Sequence, residues 1–146
     1  MSITFTENNK RLELEVLGYE FPDAEGDYFD ANWLNVGIRY DDGSLSFRQV
    51  DSCLLAFELE ELTETLDAIL EGQENGTITD FTEPYLAFAV TRVGETYAVQ
   101  LRFVYDTDGP WKEVCVCQAM DRRALAGLND GLKAMYARFP RREGKE

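Results

Sequence analysis

The stretch Glu58–Gly72, ELEELTETLDAILEG, decides how the rest of the chain is read. Leu59, Leu62, Leu66, Ile69 and Leu70 recur at helical spacing and fall within an arc of roughly 100° on a helical wheel. Glu58, Glu60, Glu61, Glu64, Asp67 and Glu71 fill the remainder, and Gly72 suits the residue that ends a helix. One apolar stripe on an acidic helix needs an apolar surface to cover, and the flanking sequence supplies it as strands.

On the N-terminal side the apolar residues alternate. Ile3 and Phe5 precede a Glu7–Lys10 turn; Leu12, Leu14 and Val16 alternate with Glu13 and Glu15; Leu34, Val36, Ile38 and Tyr40 follow the Glu20–Asp30 loop. Asp41-Asp42-Gly43 predicts a hairpin turn, with Leu45 and Phe47 on the return strand. Beyond the helix, Thr77–Thr82 reads as a weak edge strand. Leu86, Phe88 and Val90 form the next, Tyr97 to Tyr105 another after a Val93-Gly94-Glu95 turn, and Trp111 to Gln118 the last. Asp121 is placed to cap a final helix bearing Leu125, Leu128, Leu132, Met135, Tyr136 and Phe139, which Pro140 ends. Four strands and a helix thus occur twice over. The class predicted is α+β, a mostly antiparallel, strongly bent β-sheet covered by two amphipathic helices. Residues 1–140 form a single globular domain and 141–146 a frayed tail.

Composition narrows the chemistry. The 146 residues carry 28 Asp and Glu against 14 Lys and Arg, a formal net charge of −14. Met1–Met120 has net charge −17 and Asp121–Glu146 has +3. Such a surface repels phosphate backbones and anionic lipid, so direct nucleic-acid or membrane binding is not expected, and it favours a cationic protein partner. Plain solubility is the competing explanation. With no histidine, His-dependent nucleophilic sites and HExxH zinc sites are excluded within this chain. Cys53, Cys115 and Cys117 are too few for a disulfide scaffold and fit a reduced compartment; Cys115 and Cys117 share one strand face and read as small core residues. No apolar run approaches the roughly 18 residues of a membrane span, and MSITFTENNK lacks a secretory pattern, so the chain reads as cytoplasmic.

The most unusual segment is Glu20–Asp30, EFPDAEGDYFD, with five carboxylates and three aromatics in eleven residues. Asp23, Glu25 and Asp27 alternate as calcium ligands do, but Gly26 and Leu34 stand where that loop requires other residues, so no metal or cofactor is expected. As an interaction loop, Asp23, Glu25, Asp27 and Asp30 steer a cationic partner while Tyr28 and Phe29 anchor it. As a solvated connection, Phe21, Tyr28 and Phe29 only close the edge of the core. Paired carboxylates of the glycosidase kind are uninformative in so acidic a chain.

Two stretches carry a resemblance. Leu14–Tyr40, LEVLGYEFPDAEGDYFDANWLNVGIRY, joins a Gly-Tyr-x-Phe-Pro strand end, an acidic aromatic loop and an Asp-x-Asn-Trp-Leu strand; Cys53–Leu70 reads CLLAFELEELTETLDAIL. Together they resemble the WapI-like immunity proteins, small bacterial proteins that neutralise a toxin domain encoded beside them. The likeness is centred on Gly18–Val36. It implies a non-enzymatic cytoplasmic inhibitor of a cognate toxin, one acting on RNA in the family's best-known setting. Asp30, Asn32 and Trp33 sit in the matching motif and serve equally as fold determinants, Asn32 by bonding the loop back onto itself. Two other classes stay open: a ligand-binding or enzymatic domain whose pocket is lined by Tyr97, Phe103 and Trp111 beside a carboxylate of raised pKa, and a self-associating structural domain.

Overall fold

The computed structural model describes residues 2–23 and 26–144. Strands β1 (Ile3–Glu7), β2 (Lys10–Tyr19), β3 (Trp33–Asp41) and β4 (Ser46–Leu55) form one antiparallel sheet in chain order, with a short helix α1 (Tyr28–Asn32) between β2 and β3. Helix α2 (Ala56–Leu70) follows. Strands β5 (Gly76–Ile78), β6 (Leu86–Val93), β7 (Thr96–Asp106) and β8 (Lys112–Met120) then form a second sheet, again in chain order, and helix α3 (Arg122–Arg138) closes the chain.

The register explains the alternation. Phe5, Leu12, Tyr40 and Phe47 lie in one row across the first sheet. Phe88, Leu101 and Val116 lie in one row across the second. Both rows face a single core, which α2 enters with Leu59, Leu62, Leu66 and Ile69 and α3 with Leu125, Leu128, Leu132 and Met135. Where the helices do not reach, the sheets meet directly: Phe47 of β4 stacks on Tyr105 of β7, with ring centroids 4.9 Å apart. Gln49 donates from Nε2 to the Tyr105 carbonyl at 2.9 Å.

Three features differ from the sequence reading. The single sheet is divided in two, and side chains bridge the adjoining edges β1 and β8 in place of a backbone ladder. Thr6 N–H donates to Gln118 Oε1 at 2.9 Å, Cys117 N–H to Glu7 Oε1 at 3.0 Å, and Lys10 Nζ to the Cys115 carbonyl at 3.1 Å. Second, the cysteines of β8 do not face the core: Val114 and Val116 are buried, while Cys115 is half-buried and Cys117 exposed. Alternation requires one set inside, and the bulkier valines bury more apolar area. Cys53 alone is a core thiol. Third, the Glu20–Asp30 loop ends in the first turn of α1.

Helix α2 starts without a capping side chain from its N-cap residue, Leu55. Buried Glu58 supplies the missing acceptor. Its Oε1 accepts from Leu55 N–H at 3.0 Å, and its Oε2 accepts from Thr82 N–H at 2.7 Å, pinning the β5–β6 connection to the helix. Glu58→Ala, which strands the buried Leu55 N–H and releases the Thr82 N–H, should lower the unfolding free energy by about 1–3 kcal/mol in urea titrations, with Glu58→Gln recovering part of it.

Candidate interaction surface

The acidic loop is held from three sides. At its entry Glu20 N–H donates to the Trp33 carbonyl at 2.8 Å, so the strand pairing extends to the loop's mouth. At its exit Asp27 caps α1, its Oδ1 accepting from Asp30 N–H at 2.9 Å. Beneath it lies Asn32, fully buried, whose Nδ2 donates to the Tyr28 carbonyl at 2.7 Å. The bond that returns the loop onto itself, expected of Asn32, is therefore present.

The third side is Arg141–Gly144, part of the stretch 141–146 read from the sequence as a frayed tail, of which residues 145–146 lie outside the described residues. Arg142 N–H donates to Asn32 Oδ1 at 2.8 Å, and Asn32 Nδ2 donates back to the Arg142 carbonyl at 2.9 Å. The guanidinium spreads over three carbonyls: Nη2 donates to Phe21 at 2.8 Å, Nη1 to Pro22 at 2.9 Å, and Nε to Ala31 at 2.8 Å. It also lies 3.5 Å above the centroid of the Tyr19 ring. Gly144 seats so closely on α1 that a Cβ there would meet Tyr28 N at 2.4 Å. Arg141 pairs with Glu60 of α2 at 3.4 Å, and Glu60 also accepts from the Tyr136 hydroxyl. Burial first, then the bond to Glu60, raises the Tyr136 pKa, and the charge of Glu60 raises that of Arg141. Periodicity carries no sign of this strap, because a forked donor reaching carbonyls some 120 positions away has no local pattern.

The residues singled out from the sequence lie together, in different environments. Asp23 is exposed, and Asp27 is exposed while engaged as a cap; Asp30 is half-buried, and Glu25 lies outside the described residues. Tyr28 is half-buried, stacked on Phe57 of α2 with centroids 5.1 Å apart and planes 7° from parallel. Phe29 packs edge-on to the same ring and remains 47% exposed; Phe21, across the loop, is 43% exposed. Phe21, Pro22, Asp23, Gly26 and Asp30 line an open cleft of about 310 Å³. Phe57 was not singled out, because it stands off the apolar arc of α2 and only the tertiary contact reveals it. The surface is thus an aromatic cluster rimmed by carboxylates on a braced backbone.

Tyr97, Phe103 and Trp111 do not converge. Tyr97 and Phe103 are buried in the core, whereas Trp111 is 55% exposed and packs on Tyr85. The void between the helices and sheets is apolar and about 10 Å³, far too small for a ligand. Burial raises the carboxyl of Asp51, which lies on β4 and belongs to no such pocket. No helix among the described residues is long and apolar enough to cross a membrane.

The model of the WapI-like immunity proteins matches residues 2–140. The chain belongs to the WapI-like immunity protein family. No curated protein matches it in sequence. In this WapI-like chain the match spans both sheet-and-helix halves, well beyond the Gly18–Val36 region where the resemblance is centred. Arg141, Arg142 and Gly144 lie outside the matched residues.

Two outcomes follow. Arg142→Ala should cost about 1–3 kcal/mol and speed amide exchange at residues 20–32 while β6–β8 keep their protection; Arg142→Lys should restore little, since an ammonium cannot reach three carbonyls at once. A raised acid pKa means that the folded state holds the proton more tightly, so the Asp51 carboxylate opposes folding as pH rises through that value. Asp51→Asn should therefore raise the melting temperature at pH 7 and leave it unchanged at pH 3.

Proposed function

We propose that this protein neutralises a cognate bacterial toxin domain by binding it, without catalysing a reaction, and that it does so in the cytoplasm. Membership of the WapI-like immunity family carries the reading. The partner it fits is cationic, such as a nuclease with a basic cleft, because a net charge of −14 accelerates encounter with a positive surface and repels the nucleic acid itself.

The Glu20–Asp30 loop is the contact surface of this proposal. Asp23, Glu25, Asp27 and Asp30 supply steering. Phe29 offers an exposed ring for a partner's pocket, and Tyr28, pressed against Phe57, supports it. A braced loop loses little conformational entropy on binding, so more of the contact energy appears as affinity. Inhibition would be steric and electrostatic, the loop occupying the cleft that the toxin's substrate requires.

A tagged pull-down from the native bacterium at low salt should retain one basic protein stoichiometrically, released as salt rises. With that protein in hand, the variant D23N/E25Q/D27N/D30N should bind it roughly 10–100-fold more weakly and with a flatter salt dependence. Asn at position 27 still caps α1, so the variant should keep its fold. An unchanged affinity would remove the loop from the account.

A further inference from the structure

A second surface lies between α2 and strand β5. Strand β5 is the edge of the second sheet among the described residues, pairing with β6. The Asn75 carbonyl accepts from Arg92 N–H at 2.7 Å, and Thr79 N–H donates to the Phe88 carbonyl at 2.9 Å. Thr77 pairs with Val90 between them. Backbone groups alternate in direction along a strand, so the N–H and C=O of Gly76 and Ile78 point away from β6 towards an unoccupied edge. Ile78 is 81% exposed, the most exposed of the described large apolar residues.

A trough runs along this edge, with α2 as its other wall. One part, about 490 Å³, is lined by Glu61, Glu64, Thr65, Glu74, Gly76 and Thr77. The other, about 150 Å³, continues past Glu61 and Thr65 to Thr79 and Asp80. Both ends are fixed. The turn after α2 is tied by Gln73 N–H to the Ala68 carbonyl at 2.9 Å, and the bond from Thr82 N–H to Glu58 clamps the opposite end. Glu61 and Glu64 make no side-chain ion pair among the described residues, whereas Glu60 and Asp67 on the same helix are engaged with Arg141 and Lys133.

We infer that this trough docks an extended, basic segment of a protein partner, which adds a strand to β5. Its backbone would pair with Gly76 and Ile78, and its Lys or Arg side chains would meet Glu61, Glu64, Glu74 and Asp80. Carboxylates alone would attract any cation. The open strand edge selects an extended chain, and the charge on both walls selects its sign. From Asn75 to Thr79 the edge spans about 13 Å, enough to pair with a segment of roughly five residues. The mixed-charge cleft on the outer face of the first sheet, where Leu17 leans over Gly37 among Glu13, Glu15, Arg39 and Arg48, has no such selectivity.

The test uses the whole protein and two probes: a blocked Lys-Thr-Lys-Thr-Lys peptide and its fully N-methylated analogue, of equal charge but without backbone donors. In low salt the first should shift the Gly76 and Ile78 amide resonances. The analogue should bind at least tenfold more weakly, and so should the first peptide to E61Q/E64Q/E74Q. Equal binding of the two peptides, shifts confined to other surfaces, or no binding at millimolar peptide would each overturn the inference. The experiment involves no toxin, so its outcome is separate from that of the toxin reading.

Discussion

Everything in this molecule depends on two incomplete halves sharing one core. Each half is a four-stranded sheet with one apolar face and a helix with one apolar stripe, and neither helix covers its own sheet fully. The solution is for α2 and α3 to pack on each other as well as on both sheets, so that Leu59, Leu62 and Leu66 share an interior with Leu125, Leu132 and Met135. Each such side chain contributes on the order of 1.5–3 kcal/mol on burial. Where the helices end, the aromatics Phe47, Phe103 and Tyr105 close the remaining space between the sheets.

The acidity of the chain divides into two kinds. Some carboxylates are consumed by the fold. Asp42 accepts the Ser44 and Leu45 amides in the β3–β4 hairpin, and these bonds, Leu45 first, lower its carboxyl below the usual range. Asp121 and Asp27 cap α3 and α1, Glu58 anchors the start of α2, and Glu7 helps to join the two sheets. Asp23, Glu61 and Glu64 serve no such end among the described residues. Asp23 lies at the rim of a cleft that exposed Phe21 also lines, and Glu61 and Glu64 line the trough beside β5.

Rigid support under an exposed loop links the fold to the proposed function. The Glu20–Asp30 loop would be a long irregular connection if left alone, and ordering it during binding would consume affinity. Arg142 and Asn32 bear that ordering in the free protein, by satisfying loop and α1 carbonyls that lie away from any strand partner. The cation responsible comes from the C-terminal stretch where the chain's positive charge is concentrated. An overall charge imbalance in the sequence thus becomes a specific intramolecular contact.

The sequence by itself determined the main elements and their order: both amphipathic helices, the strands around them, the Asp-Asp-Gly hairpin, the Asp121 cap, the antiparallel α+β class and the grouping of acids with aromatics between β2 and β3, though not the short α1 or the division into two sheets. These rest on periodicity and turn chemistry, which act over a few residues. Only the tertiary structure decided which face of β8 turns inward, that β1 and β8 meet through side chains, that Phe57 stacks under Tyr28, and that Arg142 braces a loop about 120 positions earlier. The reason is the range of the forces. Local propensity is written in neighbouring residues, whereas burial, edge pairing and forked hydrogen bonds are settled by whichever distant groups the shared core brings within about 3 Å of one another.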